Sequence, residues 1–167
     1  MLGMQRVGAD HLDIIAFRLR GQEFCVETTT VREIRGWVAC TPVPQAPRDV
    51  LGVINLRGEV VPIVDLAGRL GMAPSTETER SAIVVAEVGP TVVGLLVDNV
   101  SDILTVSEDN VQPIPQMATQ PATRFAEGMI AHEAGMICLL NLRRLLGNAQ
   151  EDAMESRDGK VLAPMRH

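Results

Sequence analysis

The fifteen residues GVINLRGEVVPIVDL, Gly52–Leu66, decide how the rest of the chain is read. Two runs rich in β-branched residues, Leu51–Leu56 and Glu59–Val64, flank the pair Arg57-Gly58. An X-Gly pair between such runs signals a two-residue hairpin turn. Pro62 has no N–H to give to a ladder, so its run belongs at a sheet edge or a bulge. Asp65 then precedes Leu66–Leu70 and Gly71. That order reads as an N-cap, one short apolar helix and a glycine stop.

The same order recurs. Gly128–Gly147, GMIAHEAGMICLLNLRRLLG, aligns without a gap on Gly52–Gly71, GVINLRGEVVPIVDLAGRLG, at an offset of 76. Identities fall at Gly52/Gly128, Ile54/Ile130, Leu66/Leu142, Leu70/Leu146 and Gly71/Gly147, and Asn141 stands where Asp65 does. Upstream, Val31-Arg32-Glu33-Ile34 matches Val100-Ser101-Asp102-Ile103 at an offset of 69. The chain therefore reads as two copies of one unit: hairpin, strand, loop, hairpin, short helix.

Working outward, Ile14–Leu19 and Glu23–Glu27 read as strands around Gly21-Gln22, with a helical turn at Thr28–Val31 that Thr28 would cap. Arg32–Gly36 is extended. Thr41–Pro47 holds three prolines and is loop. In the second copy, Ala82–Val88 and Val92–Val97 flank Gly89-Pro90, Ile103–Val106 is a short strand and Val111–Pro121 is a proline-punctuated loop. Phe125–Ala131 and Met136–Leu140 flank Glu133-Ala134-Gly135, and Leu142–Leu146 is helical. About five short strands per copy can close into a small barrel, which hides its edges. The expectation is a mainly β chain, one domain over 12–147, built of two five-stranded barrels with short helices and flexible ends at 1–11 and 148–167.

Of the 167 residues, 46% are hydrophobic, enough for a sizeable core, but only 2% are aromatic, so that core must be aliphatic. A net charge of −6 and the absence of Tyr argue against a surface that tracks phosphates or stacks bases, hence no nucleic-acid partner. Three cysteines without CxxC spacing read as buried thiols of a reducing compartment. The sequence shows no leader peptide and no run of the length that crosses a bilayer, so a cytoplasmic protein is expected.

Signals of catalysis are missing. There is no GxxxxGK[ST], GxGxxG or GxSxG string, and His11, His132 and His167 lie far apart without metal-ligand partners. No catalytic residue, metal site or cofactor is assigned. Asp65 and Asn141 read as helix N-caps, and Asp98 and Asp102 as turn and surface residues. Gly52, Gly58, Gly94 and Gly128 read as turn or close-approach positions.

The strings V-x-E-I-R-G-W at Val31–Trp37, GVINLRGEVVPIVDL, VVGLLVDNVSDI at Val92–Ile103 and EGMI…LLNLRRLL at Glu127–Leu146 resemble the CheW family of chemotaxis coupling proteins, over roughly Ile14–Gly147. The resemblance implies two SH3-like barrels and a non-enzymatic adaptor. Such an adaptor joins the cytoplasmic tips of chemoreceptors to the regulatory domain of the histidine kinase CheA, in arrays at the membrane but without inserting into it. A chemosensory pathway other than motility, or a stand-alone module related to the kinase's own regulatory domain, is the alternative. Carried over from the family, receptor contact in the groove between the barrels maps to Val31, Glu33, Arg57, Val100 and Ile103. Cys25 departs from a glycine common in the family. Glu33 and Arg57 are expected to form an ion pair beside the groove. Their counterparts in the second copy, Asp102 and Glu133, are both acids, so the two copies cannot be equivalent.

Overall fold

The computed structural model describes residues 11–73, 78–115, 124–133 and 135–146. The strands are β1 (His11–Leu19), β2 (Gln22–Glu27), β3 (Val31–Gly36), β4 (Val50–Leu56), β5 (Glu59–Asp65), β6 (Ala82–Val88), β7 (Thr91–Val97), β8 (Asn99–Ser107), β9 (Val111–Gln112), β10 (Ala126–His132) and β11 (Gly135–Leu140). Helix α1 is Leu66–Arg69, and α2 covers residues 142–146. One sheet has the order β8-β1-β2-β11-β10-β9, the other β3-β6-β7-β5-β4.

Each expected hairpin is present, and the duplication is visible in the ladders. Val31↔Ala86, Glu33↔Val85 and Ile34↔Val84 in one sheet correspond, at the offset of 69, to Phe17↔Val100, Ala16↔Asp102 and Ile15↔Ile103 in the other. A register shift interrupts both at the same place. At the offset of 76, Val50↔Val64 and Gly52↔Ile63 correspond to Ala126↔Leu140 and Gly128↔Leu139, again with a shared shift.

The copies, however, do not close on themselves. The β1–β2 hairpin of the first copy pairs with β8 and β11 of the second, and β6–β7 of the second pairs with β3 and β5 of the first. The halves have exchanged hairpins. The crossings are short: the 3-10 turn Thr28–Thr30 carries the chain from one sheet to the other, and Asp98 alone returns it. The Asp98 N–H donates to the Arg18 carbonyl at 3.0 Å, and its carboxylate accepts from the Arg20 N–H at 2.7 Å.

Both sheets curl until the chain leaving one outer strand meets the other. Beyond β3, Thr41 exchanges two hydrogen bonds with Val53 of β4, at 2.9 and 2.8 Å. Beyond β8, the turn Glu108–Asn110 leads into β9, which pairs with β10. Residues 111–112 are therefore strand, where the prolines that follow suggested loop. Asn99–Ser107 is likewise longer than the expected Ile103–Val106, because its first half is an outer strand whose polar side chains face solvent. The first turn is Arg20-Gly21, one residue earlier than expected, with both φ angles positive at 52° and 83°. Thr28 does not cap the turn it opens; Glu27 holds the cap position, and Thr30 Oγ1 donates to the Glu27 carbonyl at 2.6 Å. The β5 strand lies inside its sheet, but β7 joins it only from Ile63 onward, so Pro62 faces no ladder on that flank.

Strand alternation sorts the buried residues into three layers. Ile14, Ala16, Cys25, Ile130 and Leu139 fill one barrel, and Ile54, Val61, Ile63, Ile83 and Val85 fill the other. A third, larger layer lies between them and includes Val84, Leu95, Leu145 and all three phenylalanines, Phe17, Phe24 and Phe125. Burying one such Leu or Ile side chain is worth about 1.5–3 kcal/mol. The phenylalanines are thus concentrated where the sheets meet, while Trp37 packs against the core of one barrel.

The symmetry gives Cys25 a physical role. Ile63↔Gly94 in one sheet matches Leu139↔Cys25 in the other. A Cβ on Gly94 would lie 2.5 Å from Ile63 Cδ1 and 2.8 Å from Ile83 Cγ2, so the first barrel has no room there. In the second, the fully buried Cys25 side chain takes that space. All three cysteines are thiols. Burial pushes the Cys25 thiol far up and that of Cys138 up to about 11, so neither supplies a thiolate near neutral pH.

The expected caps differ from each other. Asn141 Oδ1 accepts from the Arg144 N–H at 3.1 Å and caps α2. Asp65 stands at the N-cap position of α1 but makes no side-chain capping bond. It is still a ladder residue, paired with Leu96, so its backbone is held by the sheet rather than free to turn toward the helix. Residues 1–10 and 147–167, and with them most of both expected flexible ends, lie outside the described residues; His11, assigned to the first of these ends, opens β1.

Candidate functional site

The β4–β5 turn needs two positive φ angles, and Arg57 at 52° and Gly58 at 87° supply them. Asn55 Oδ1 accepts from the Gly58 N–H at 2.7 Å and fixes the turn. That geometry sends the Arg57 guanidinium across to β3, where it donates to the Glu33 carboxylate. Arg35 Nη1 approaches the same carboxylate at 3.8 Å. A second link runs the opposite way: Arg32 of β3 donates to Glu59 at 2.8 Å and to Glu87 at 3.1 Å. Two crossed ion pairs thus latch the β4–β5 hairpin to β3, the opposite outer strand of that sheet. The Arg57 side chain is 66% exposed, and an exposed pair stabilises by only ~0–1 kcal/mol, so the latch sets direction more than stability.

Among the described residues the other barrel has no such latch at the matching corner. Asp102 Oδ1 accepts from the Ile103 N–H at 2.8 Å, and Glu133 lies 3.6 Å from His132 Nε2. Ser101, the counterpart of Arg32, donates to Glu23 at 2.7 Å. Asp98 and Asp102 engage separate partners. Among the described residues no cluster of His, Cys, Asp or Glu is arranged to hold a metal ion.

A groove of about 530 Å³ opens between the sheets, lined by Ile34, Arg35 and Gly36 of β3, by Asn99 and Val100 of β8, and by Arg80 and Ala82. Of the five residues assigned to receptor contact, Val100 alone lines it. Val31 and Val100 occupy matching positions, and both pack half-buried against the shared layer. Ile103, the counterpart of Ile34, stands 63% exposed. Glu33 and Arg57 sit at the latch.

Sequence reasoning missed a regularity in the exposed apolar side chains. Ile34 and Ile103 form one pair at the offset of 69, and Val60 and Met136 another at 76; all four are exposed. Both pairs could have been found by writing the aligned repeats with solvent-facing positions marked.

A second hollow, of about 440 Å³, is lined by Glu27, Thr30, Glu127, Asn141 and Arg143 among others. Desolvation, then Glu127 and Glu108, raises the Glu27 pKa from its ordinary value. A carboxyl whose folded pKa is raised contributes stability that is complete below its unfolded pKa and lost as pH rises through the folded value. Glu27→Gln is therefore expected to raise the melting temperature at pH 7 relative to wild type, with the difference vanishing near pH 4. Thermal melts at the two pH values check this, and an equal shift at both would contradict it.

The surface thus offers grooves, latches and apolar spots, which suit binding. A CheW-like domain model matches residues 13–150. The chain is 53% identical over 141 residues to the chemotaxis protein CheW of Rhizobium meliloti, and 51% identical over the same length to the probable chemotaxis protein CheW of Rhizobium etli. Both alignments cover 84% of this chain and 91% of that protein. Identity to the Klebsiella aerogenes CheW is 32%, over 83% of each. The crystal structure of the scaffolding protein TtCheW from Thermoanaerobacter tengcongensis matches with a TM-score of 0.74 at 30% identity, covering 80% of this chain and 86% of that one. The chain belongs to the CheW-like family, and its role is that of a chemotaxis adaptor.

Proposed function

We propose that residues 12–147 act as one unit that couples chemoreceptor cytoplasmic tips to the histidine kinase CheA, without turnover of its own. The protein is recruited from the cytoplasm to arrays at the membrane, and no described helix is long and apolar enough to cross one. The observation that carries this reading is the placement of like apolar spots on unlike barrels. Ile34 and Ile103, and Val60 and Met136, repeat across the two sheets, while among the described residues the ion-pair latch occurs on one alone. A molecule with two related but unequal faces is suited to hold two different partners.

Val31, Glu33, Arg57, Val100 and Ile103 are proposed to meet the receptor. Ile103→Asp places a charge on an exposed apolar spot, so it is expected to weaken capture of a receptor tip fragment ~tenfold or more while the circular dichroism stays that of wild type. Arg57→Ala is expected to leave the melting temperature nearly unchanged and to lower receptor–kinase coupling. Val31→Asp is a poorer probe, because Val31 packs on the shared layer and a charge there threatens the fold. A pull-down with a receptor tip fragment and the CheA regulatory domain reads both arms. Wild-type capture by Ile103→Asp and Arg57→Ala together would remove these residues from the receptor surface.

A further inference from the structure

The groove between the sheets has a lining opposite in sign to the net charge of the chain. The chain has a net charge of −6, yet the described residues that line the groove include two arginines, Arg35 and Arg80, and no acid. Arg35 is poorly compensated. Its nearest carboxylate, Glu33, is already taken by Arg57 and lies 3.8 Å from Arg35 Nη1. Its Nε is buried and makes no hydrogen bond among the described residues. A buried donor left unsatisfied costs free energy, so the guanidinium is short of acceptors in the free protein. Arg80 uses its backbone N–H on Thr78 Oγ1 at 3.2 Å, and its guanidinium makes no ion pair with a described residue. Beside these cations stand Ile34, Ala82 and Val100, and the Asn99 amide completes the lining.

We propose that this groove recognises a carboxylate side chain of the receptor tip, seated toward Arg35 and Arg80 while an adjacent apolar side chain of the same segment packs on Ile34 and Val100. The assignment rests on the adaptor reading above and names the chemistry of its receptor contact. Two guanidiniums with no acid among the described lining residues form an anion site, and the planar fork of Arg35 has a donor to spare for a carboxylate oxygen. A groove lined by two cations also rejects partners that present Lys or Arg there, so the same residues select among partners.

The test measures binding of the full chain to a receptor tip fragment and, separately, to the CheA regulatory domain, at low and at high salt. Arg80→Glu is the principal variant, because the Arg80 side chain takes part in neither the latch nor the core; Arg35→Gln is the second. Arg80→Glu is expected to weaken receptor binding ~tenfold at low salt, with the gap shrinking as salt screens it, and to leave kinase binding unchanged. Reversing one acidic residue of the fragment to Arg is expected to restore binding to Arg80→Glu. Undiminished receptor affinity in both variants, with intact circular dichroism, would overturn the assignment. So would a loss confined to the kinase domain, which would make the kinase the source of the carboxylate. If the wild-type chain binds no receptor fragment, the adaptor reading fails and this inference with it. If wild type binds and the variants match it, the inference fails alone.

Discussion

Gly52→Ala is expected to destabilise the protein by roughly 3 kcal/mol or more, through strain and overpacking together. Gly52 has φ of 154°, and a Cβ there would lie 2.4 Å from the Thr41 carbonyl oxygen. That oxygen accepts from the Val53 N–H in the bridge that closes the β3–β4 side of the sheet. The offending atom is backbone, so no flexible side chain can move aside. Gly128, its counterpart, would meet the Gln112 carbonyl oxygen and Val111 Cγ1, each at 2.8 Å, and its backbone is not left-handed. Gly128→Ala is accordingly expected to cost less. Urea denaturation of the two variants against wild type gives the comparison, and equal losses would mean that backbone strain at Gly52 contributes nothing.

Leu95→Ala is expected to cost about 2–5 kcal/mol, the range for deleting a fully buried leucine. Leu95 has no exposed surface and belongs to the layer between the sheets, with Phe17 and Leu19 from one and Val84 and Ala86 from the other. Because both sheets lean on that layer, the loss should reach both. Hydrogen exchange of β6 and of β2 should quicken by similar factors. Protection lost in β6 alone would show that each barrel holds itself together.

The hairpins were legible because their cues are local. An X-Gly pair fixes a turn, alternation fixes the two faces of a strand, and both lie within a few residues. The Glu33–Arg57 contact was legible because the repeat placed an acid and a base where the other copy has two acids. The hairpin exchange was not, since alternation says which face of Ile14–Leu19 is buried but not which outer strand it will join. The polar start of β8 read as a turn because an outer strand exposes such residues. Asp65 carries the residue type of a cap, and only the ladder with Leu96 reveals that it is held elsewhere. Arg35 and Arg80 come from segments that the sequence treats as unrelated, so their meeting in one groove had no local signal.

The exchange of hairpins also orders the birth of the protein. All five strands of one sheet lie within residues 31–97, so that sheet can close while the chain is still being made. The other needs strands from far apart in the chain: β1 and β2 leave the ribosome before their neighbours, and wait for β8 until residues near 107, and for β11 until residues near 140, have emerged. For most of synthesis the first hairpin therefore bears two unsatisfied edges, which is when a nascent chain is open to wrong pairing. A stop codon between β8 and β11 would release a chain with one finished sheet and another whose β2 edge stays bare, a ready substrate for proteases and for pairing with another such chain.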